Sequence, residues 1–90
     1  MTATINGIQY NTETAESIAY FWCGLHSPKF FIEHLFRDGS GRLFIEEKNE
    51  YAHSIIPVSL AEAKEWAKLH ISHPEDDGVW VDENGFFANV

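Results

Sequence analysis

The chain has 90 residues, of which 44% are hydrophobic and 14% aromatic, and its formal net charge is −8. This length and composition indicate one folded domain spanning residues 1–90 rather than a disordered chain. The acidic balance argues against direct nucleic-acid binding, because phosphate contacts need a basic surface.

The cysteine count and the distribution of apolar residues bear on the compartment. Cys23 is the only cysteine, so an internal disulfide is excluded. The N-terminus has neither the basic start nor the apolar run of a secretion signal. No stretch approaches the roughly 20 apolar residues of a membrane span. We therefore expect a cytoplasmic protein without membrane contact.

The N-terminal residues predict a turn and then a helix. Asn6-Gly7 between β-forming residues predicts a tight turn that joins two short strands within residues 4–10. Thr12 is suited to cap a first helix at about residues 12–24, which Gly24 can end. The apolar residues that recur at helical spacing are Ala15, Ile18, Ala19, Trp22 and Leu25.

Residues 30–47 predict the central β-hairpin of the fold. Two alternating apolar runs flank Asp38-Gly39-Ser40-Gly41, which favours a turn with Gly39-Ser40 at its centre. In this register Phe36 lies opposite Leu43, and Leu35 lies opposite Phe44. One face of the hairpin would then carry Ile32, His34, Phe36, Leu43 and Ile45.

The second half of the chain predicts a strand, a helix and a second hairpin. Ser54-Ile55-Ile56 reads as a third strand that Pro57 ends or confines to an edge. Ser59 and Glu62 form a capping box for a helix at about residues 59–70. Asn84-Gly85 between residues 79–81 and 86–88 predicts a C-terminal β-hairpin. The expected fold class is α+β, with a small antiparallel sheet packed on one face by two helices.

No stretch carries a recognised catalytic motif. Five histidines and the paired carboxylates Glu46-Glu47 and Asp76-Asp77 leave open a small hydrolase or metal-dependent enzyme. No cysteine pair or His-Glu-x-x-His pattern supports a metal site. We therefore expect a non-enzymatic protein with no cofactor, no metal and no catalytic residues.

The acidic C-terminal segment is the main candidate for partner binding. An aromatic ring surrounded by carboxylates is typical of an interface that attracts a basic protein. In the alternative interpretation Trp80 and Phe87 cap the core, and the acids only increase solubility. The candidate partner-binding residues are Glu75, Asp76, Asp77, Trp80, Asp82 and Glu83, with Glu46, Glu47 and Glu50 extending the surface.

An ordered series of motifs carries a family resemblance. The motifs are Tyr10-Asn11-Thr12-Glu13-Thr14-Ala15, Leu35-Phe36-Arg37, Gly41-Arg42-Leu43-Phe44-Ile45, and Pro57-Val58-Ser59 followed by Glu62-Ala63 and Trp66. The series resembles a group of small, mostly uncharacterised proteins of bacteria, phages and mobile elements. It covers roughly residues 5–69, and it departs from the group's pattern at Asn11, where Asp is usual, and at Phe36, where Tyr is usual.

The resemblance implies a genomic setting in which small acidic proteins inhibit host defence, anti-CRISPR proteins among them. The leading hypothesis is therefore an inhibitor of a basic, nucleic-acid-handling protein or nuclease, in which carboxylates imitate the charge of nucleic acid. An immunity protein that neutralises a basic toxin is a second hypothesis, and the small enzyme is a third. The protein would act as a monomer or a homodimer.

Overall fold

The computed structural model of the protein describes residues 1–24, 30–72 and 78–88. These ranges are mostly β-strand and contain one α-helix. In chain order the elements are β1 (Thr2–Ile5), β2 (Ile8–Asn11), β3 (Glu16–Cys23), β4 (Phe31–Arg37), β5 (Leu43–Asn49), β6 (His53–Val58), α1 (Leu60–Ser72) and β7 (Val79–Asp82), followed by a 3-10 turn at Glu83–Gly85.

Five of the strands form one antiparallel sheet in the order β6-β5-β4-β3-β7. The strands β1 and β2 form a separate two-stranded hairpin, as the sequence predicts. Asn6 and Gly7 both have positive φ angles, of 53° and 79°, which a two-residue turn of this kind requires. The prediction of two helices packed on a sheet is wrong, because the described residues contain only α1.

The predicted helix at residues 12–24 is wrong because residues Glu16–Cys23 form β3, which pairs with β4 on one side and β7 on the other. A bulge between Ser17 and Ala19 leaves Ile18 and Ala19 in the same core cluster. This irregularity gives the apolar residues a spacing that also fits a helix. A short apolar run does not distinguish a buried strand from a helix by periodicity alone.

The central hairpin forms as predicted, but its register differs by one residue. Phe36 lies opposite Phe44 and Leu35 opposite Ile45, so the predicted faces are wrong. Asp38 and Arg42 close a loop of three residues, in which Gly41 has a positive φ of 84°. A left-handed glycine after the turn adds one residue to the loop and shifts every cross-strand partner.

The helix α1 confirms the second predicted helix. Ser59 Oγ accepts a hydrogen bond from Glu62 N at 3.1 Å, and the Glu62 carboxylate accepts one from Ser59 N at 3.0 Å. These two bonds are the predicted capping box. Ala63 and Ala67 are fully buried against the sheet, and His70 is 8% exposed.

The predicted C-terminal hairpin is wrong because β7 pairs with β3, and residues 83–88 continue as turns. Asn84 and Gly85 have positive φ angles, yet Ala88 N donates to Gly85 O at 3.2 Å and no return strand begins there. Phe87 is only 3% exposed and belongs to the core beneath α1. Burial of its ring therefore outweighs strand pairing in this segment.

The sheet has a hydrophobic core on each face. The face toward α1, which we call the helix face, carries Ala19, Leu35 and Ile45. The opposite face carries Phe36, Phe44 and Ile55, which pack against Tyr10 of the β1–β2 hairpin. Among the described residues, this core draws on β4, β5, β6 and the β1–β2 hairpin, and the residues of β3 and β7 on the same face are not part of it.

Candidate protein-binding surfaces

The structure separates the predicted acidic site into several places. Glu75, Asp76 and Asp77 lie outside the described residues. Glu46 lies on the sheet face opposite α1, whereas its neighbour Glu47 lies on the helix face. The described acids therefore do not form one continuous acidic surface.

Trp80 is partly buried and packs against the core on the helix face. Its ring packs against Trp66 of α1 with centroids 5.1 Å apart and against Phe87 at 6.2 Å. Asp82 Oδ2 accepts a hydrogen bond from Phe87 N at 2.8 Å. Both side chains thus hold the C-terminal segment against the helix face, which agrees with a core-capping role.

Partly exposed apolar and aromatic side chains cover the β3 and β7 part of the face opposite α1. In the strand register Tyr20 lies between His34 and Val81, and Trp22 lies between Ile32 and Val79. Directly opposed residues of antiparallel strands share a face. We call this surface the open patch; it consists of Tyr20, Trp22, Ile32, His34, Val79 and Val81.

The rings of the open patch continue the buried core beside them. Phe36 stacks on His34 with centroids 4.1 Å apart, and Tyr20 contacts His34 at 5.4 Å. Tyr20 and Trp22 stack at 5.3 Å with an interplanar angle of 16°. Because each ring contacts the next, its neighbours restrict its rotamers, and it has less side-chain freedom to lose when a partner binds.

His34 is the titratable centre of the open patch. Its Nε2 lies 2.6 Å from the Ser17 hydroxyl. Burial lowers the pKa of His34, and the nearby carboxylates of Glu46 and Glu83 oppose this effect without reversing it. Burial therefore favours the neutral form of His34, and the two carboxylates lie near the apolar patch.

Ser17 and His34 resemble two members of a nucleophilic triad. In the part of the chain that the structure describes, no carboxylate hydrogen-bonds the second ring nitrogen of His34, and the neighbouring Glu46 instead lies 2.6 Å from His53 Nε2. A general base of this kind needs a group that orients it toward the nucleophile. The pair can therefore fix the His34 ring, and among the described residues no carboxylate completes a triad with it.

On the helix face, Glu33 connects β4 to α1. Its Oε2 accepts a hydrogen bond from Trp66 Nε1 and lies 3.3 Å from His70 Nε2. Burial raises the pKa of Glu33, but these hydrogen bonds and the charge of His70 outweigh burial and leave that pKa below its ordinary value. His70 also stacks on Phe21 with centroids 4.0 Å apart.

A cleft of about 630 Å³ lies beside Glu33, where β4 begins and β5 ends. Three aromatic rings and three carboxylates line most of it. The lining residues are Phe30, Phe31, Glu33, Glu47, Asn49, Glu50 and Tyr51. Of the predicted acidic residues, Glu47 and Glu50 therefore belong to this cleft and not to the open patch.

Comparison with protein-family models, curated proteins and solved structures gives no match. Within the described ranges, no three histidine, cysteine or carboxylate side chains are grouped as metal ligands would be. Over the same ranges, no helical segment has the length and apolarity that a membrane crossing needs.

The sequence reasoning missed Tyr20 and Trp22, because it placed both in a helix. Alternation in Ala19-Tyr20-Phe21-Trp22 would have assigned Tyr20 and Trp22 to one face and the fully buried Ala19 and Phe21 to the other. Enrichment in aromatic residues was the available signal for a strand.

Proposed function

We propose that this protein is a non-enzymatic binding protein that inhibits a basic, nucleic-acid-handling protein by covering its positive surface. The observation that carries the proposal is the open patch, in which partly exposed aromatic rings lie beside carboxylates. Such a patch, continuous with a rigid core, is typical of a surface that a partner covers.

Tyr20 and Trp22 are the proposed anchors of the interface. Tyrosine and tryptophan supply large contact areas and dominate binding energy at many interfaces. Their stacking orients both rings before binding, which lowers the entropy cost of association. Trp80, the anchor expected from the sequence, is replaced in this role because it packs against Trp66.

Charge supplies attraction and orientation in this proposal. The net charge of −8 attracts a basic partner over long range and speeds encounter. Glu46 and Glu83 lie close enough to His34 to influence its titration, so they lie beside the rings. Glu75, Asp76 and Asp77 precede β7 in the sequence and are three of the carboxylates that give this net charge.

The proposed class includes two kinds of inhibitor. An inhibitor of a host-defence nuclease, such as an anti-CRISPR protein, would compete with nucleic acid for the basic surface. An immunity protein would instead neutralise a basic toxin. Both bind through a complementary acidic surface, and the identity of the captured partner distinguishes them.

The proposal can be tested by capture and variation. Immobilised protein would be incubated with host-cell proteins that had been retained on heparin, and bound proteins would be identified by mass spectrometry. We expect a nucleic-acid-binding protein that duplex DNA displaces and that the Trp22→Ala variant does not retain. Leu69→Ala, which removes an exposed side chain from α1, is the matched control. Equal capture by both variants would refute the proposal.

The Ser17–His34 contact supports a second candidate, a small hydrolase. Labelling with a fluorophosphonate probe would test it, with Ser17→Ala as the control. Labelling of the wild type that disappears in Ser17→Ala would favour the hydrolase over the binding protein. We expect no labelling, because the described residues leave His34 without an orienting carboxylate.

A further inference from the structure

The cleft on the helix face has the composition of a receptor for a cationic side chain. Its volume of about 630 Å³ is large enough for a side chain and the peptide segment around it. Phe30, Phe31 and Tyr51 supply aromatic faces, and Glu33, Glu47 and Glu50 supply negative charge. This combination attracts a cation both through the ring quadrupoles and through the carboxylates.

Two of the carboxylates are arranged unfavourably in the unbound protein. Glu47 lies directly opposite Glu33 in the pairing of β4 with β5. Like charges at directly opposed positions destabilise a sheet. A cation bound beside Glu47 on this face would offset the repulsion between the two carboxylates, so the arrangement favours a positively charged ligand.

Three of the described cations pair with carboxylates outside the cleft. Among the described lysines and arginines, none forms an ion pair with Glu33, Glu47 or Glu50. The pairs that do form are Arg37 with Glu16 at 2.7 Å, Arg42 with Asp38 at 3.6 Å and Lys68 with Glu65 at 4.0 Å. The charge of the cleft is therefore not balanced by these side chains.

A rigid turn places an aromatic ring at the cleft. Asn49 Oδ1 accepts hydrogen bonds from the backbone amides of Tyr51 and Ala52, both at 2.8 Å, and Asn49 N donates to Ala52 O at 2.9 Å. Tyr51 is 90% exposed although its backbone is held firmly. Such an exposed ring on a fixed turn is available to stack on a ligand.

We propose that this cleft binds an arginine side chain of a basic peptide segment, with the guanidinium between the carboxylates of Glu47 and Glu50 and stacked on Tyr51. Arginine fits better than lysine because its planar group both pairs with carboxylates in a fork and stacks on aromatic faces. The cleft lies on the opposite side of the sheet from the open patch. The proposal therefore does not depend on the open patch being an interface.

The test is an NMR titration of the ¹⁵N-labelled protein with the peptide acetyl-Gly-Gly-Arg-Gly-Gly-amide. We expect shift changes concentrated at the amides of Asn49, Glu50 and Tyr51. The double variant Glu47→Gln/Glu50→Gln should weaken binding by at least about tenfold, because it removes both carboxylates that would pair with the guanidinium. Glu65→Gln removes one carboxylate charge from α1, away from the cleft, and should leave binding unchanged.

Two further peptides and one variant make the test specific. The peptide with citrulline in place of arginine keeps the shape without the charge and should not bind. A lysine peptide that binds equally well would overturn the guanidinium assignment. Unchanged binding in the double variant, or an equal loss in Glu65→Gln, would overturn the cleft as the site. Trp22→Ala should bind the peptide normally, which separates this result from a failure of the open patch.

Discussion

Replacing Glu33 should show how much one partly buried carboxylate contributes to joining α1 to the sheet. The side chain is 21% exposed, and its oxygen is shared by Trp66 Nε1 and His70 Nε2. Glu33→Ala leaves the indole donor without an acceptor, which costs about 1–3 kcal/mol. For a domain of this size, each 1 kcal/mol lowers the melting temperature by roughly 4–8 °C.

Glu33→Gln is the matched variant, because its amide oxygen can still accept from Trp66. It loses only the charge, and a charged hydrogen bond exceeds a neutral one by about 1 kcal/mol. Urea unfolding followed by tryptophan fluorescence would measure the free energy of unfolding for both variants. If Glu33→Ala and Glu33→Gln lower the free energy of unfolding equally, the view that the acceptor oxygen for Trp66 matters more than the charge is refuted.

The same network predicts an acid dependence with a defined sign. Because the pKa of Glu33 in the folded protein lies below its ordinary value of 4.5, its contribution is present above that pH. The contribution is lost as the pH falls through the folded pKa, since the unfolded chain then binds the proton more readily. The wild type should therefore lose more stability than Glu33→Gln between about pH 5 and pH 3. If the free energy of unfolding falls equally with pH in the wild type and in Glu33→Gln, this prediction is contradicted.

Three further predictions concern the hairpin core, the central loop and His34. Phe44→Ala removes a ring with no exposed surface that lies between Tyr10 and Phe36, and it should cost about 3–5 kcal/mol in urea unfolding. Asp38→Ala removes the acceptor for the amides of Ser40 and Arg42, both at 2.9 Å, and should cost roughly 1–2 kcal/mol, whereas Asp38→Asn should cost less. His34 faces Ser17, Glu46 and Glu83, and its pKa lies below 6.5, so its contribution is present above pH 6.5 and lost as the pH falls through the folded pKa. A His34→Gln variant should show a weaker decline of stability between pH 7 and pH 5, and an equal decline would contradict the assignment.

Local signals predicted the elements whose chemistry is contained in a few neighbouring residues. The capping box of Ser59 and Glu62 identified α1, and Asn6-Gly7 identified the first hairpin. The strands of the central hairpin were also correct. Their register was not, because only the positive φ of Gly41 reveals that the loop has three residues.

Tertiary packing decided the elements that the sequence predicted wrongly. Strand β3 carries aromatic residues on both faces, Phe21 toward α1 and Tyr20 and Trp22 in the open patch, so its apolar run lacks the polar positions that mark a half-buried strand. Phe87 is buried beneath α1 instead of pairing in a hairpin. Tyr20 and Trp22 share one face only when residues 16–23 form a strand. The open patch therefore could not be found while that segment was assigned to a helix.

The division of the acidic residues likewise depends on strand register. Glu46 and Glu47 are adjacent in sequence, yet alternation sends one toward His34 and the other toward the cleft. The sequence alone showed how many carboxylates the chain has, but not that they lie on two different faces of the sheet. This separation is the reason why the open patch and the cleft can be tested independently.

The most direct test of the central claim is a competition experiment with the captured partner. Labelled duplex DNA bound to that partner would be titrated with the wild type, with Trp22→Ala and with Leu69→Ala, and followed by fluorescence anisotropy. If the open patch is the interface, the wild type and Leu69→Ala should both displace the DNA. Trp22→Ala should be roughly 30-fold weaker, the loss of an interface anchor of about 2 kcal/mol. Displacement by Trp22→Ala at the wild-type concentration, with its fold confirmed by urea unfolding, would contradict the claim.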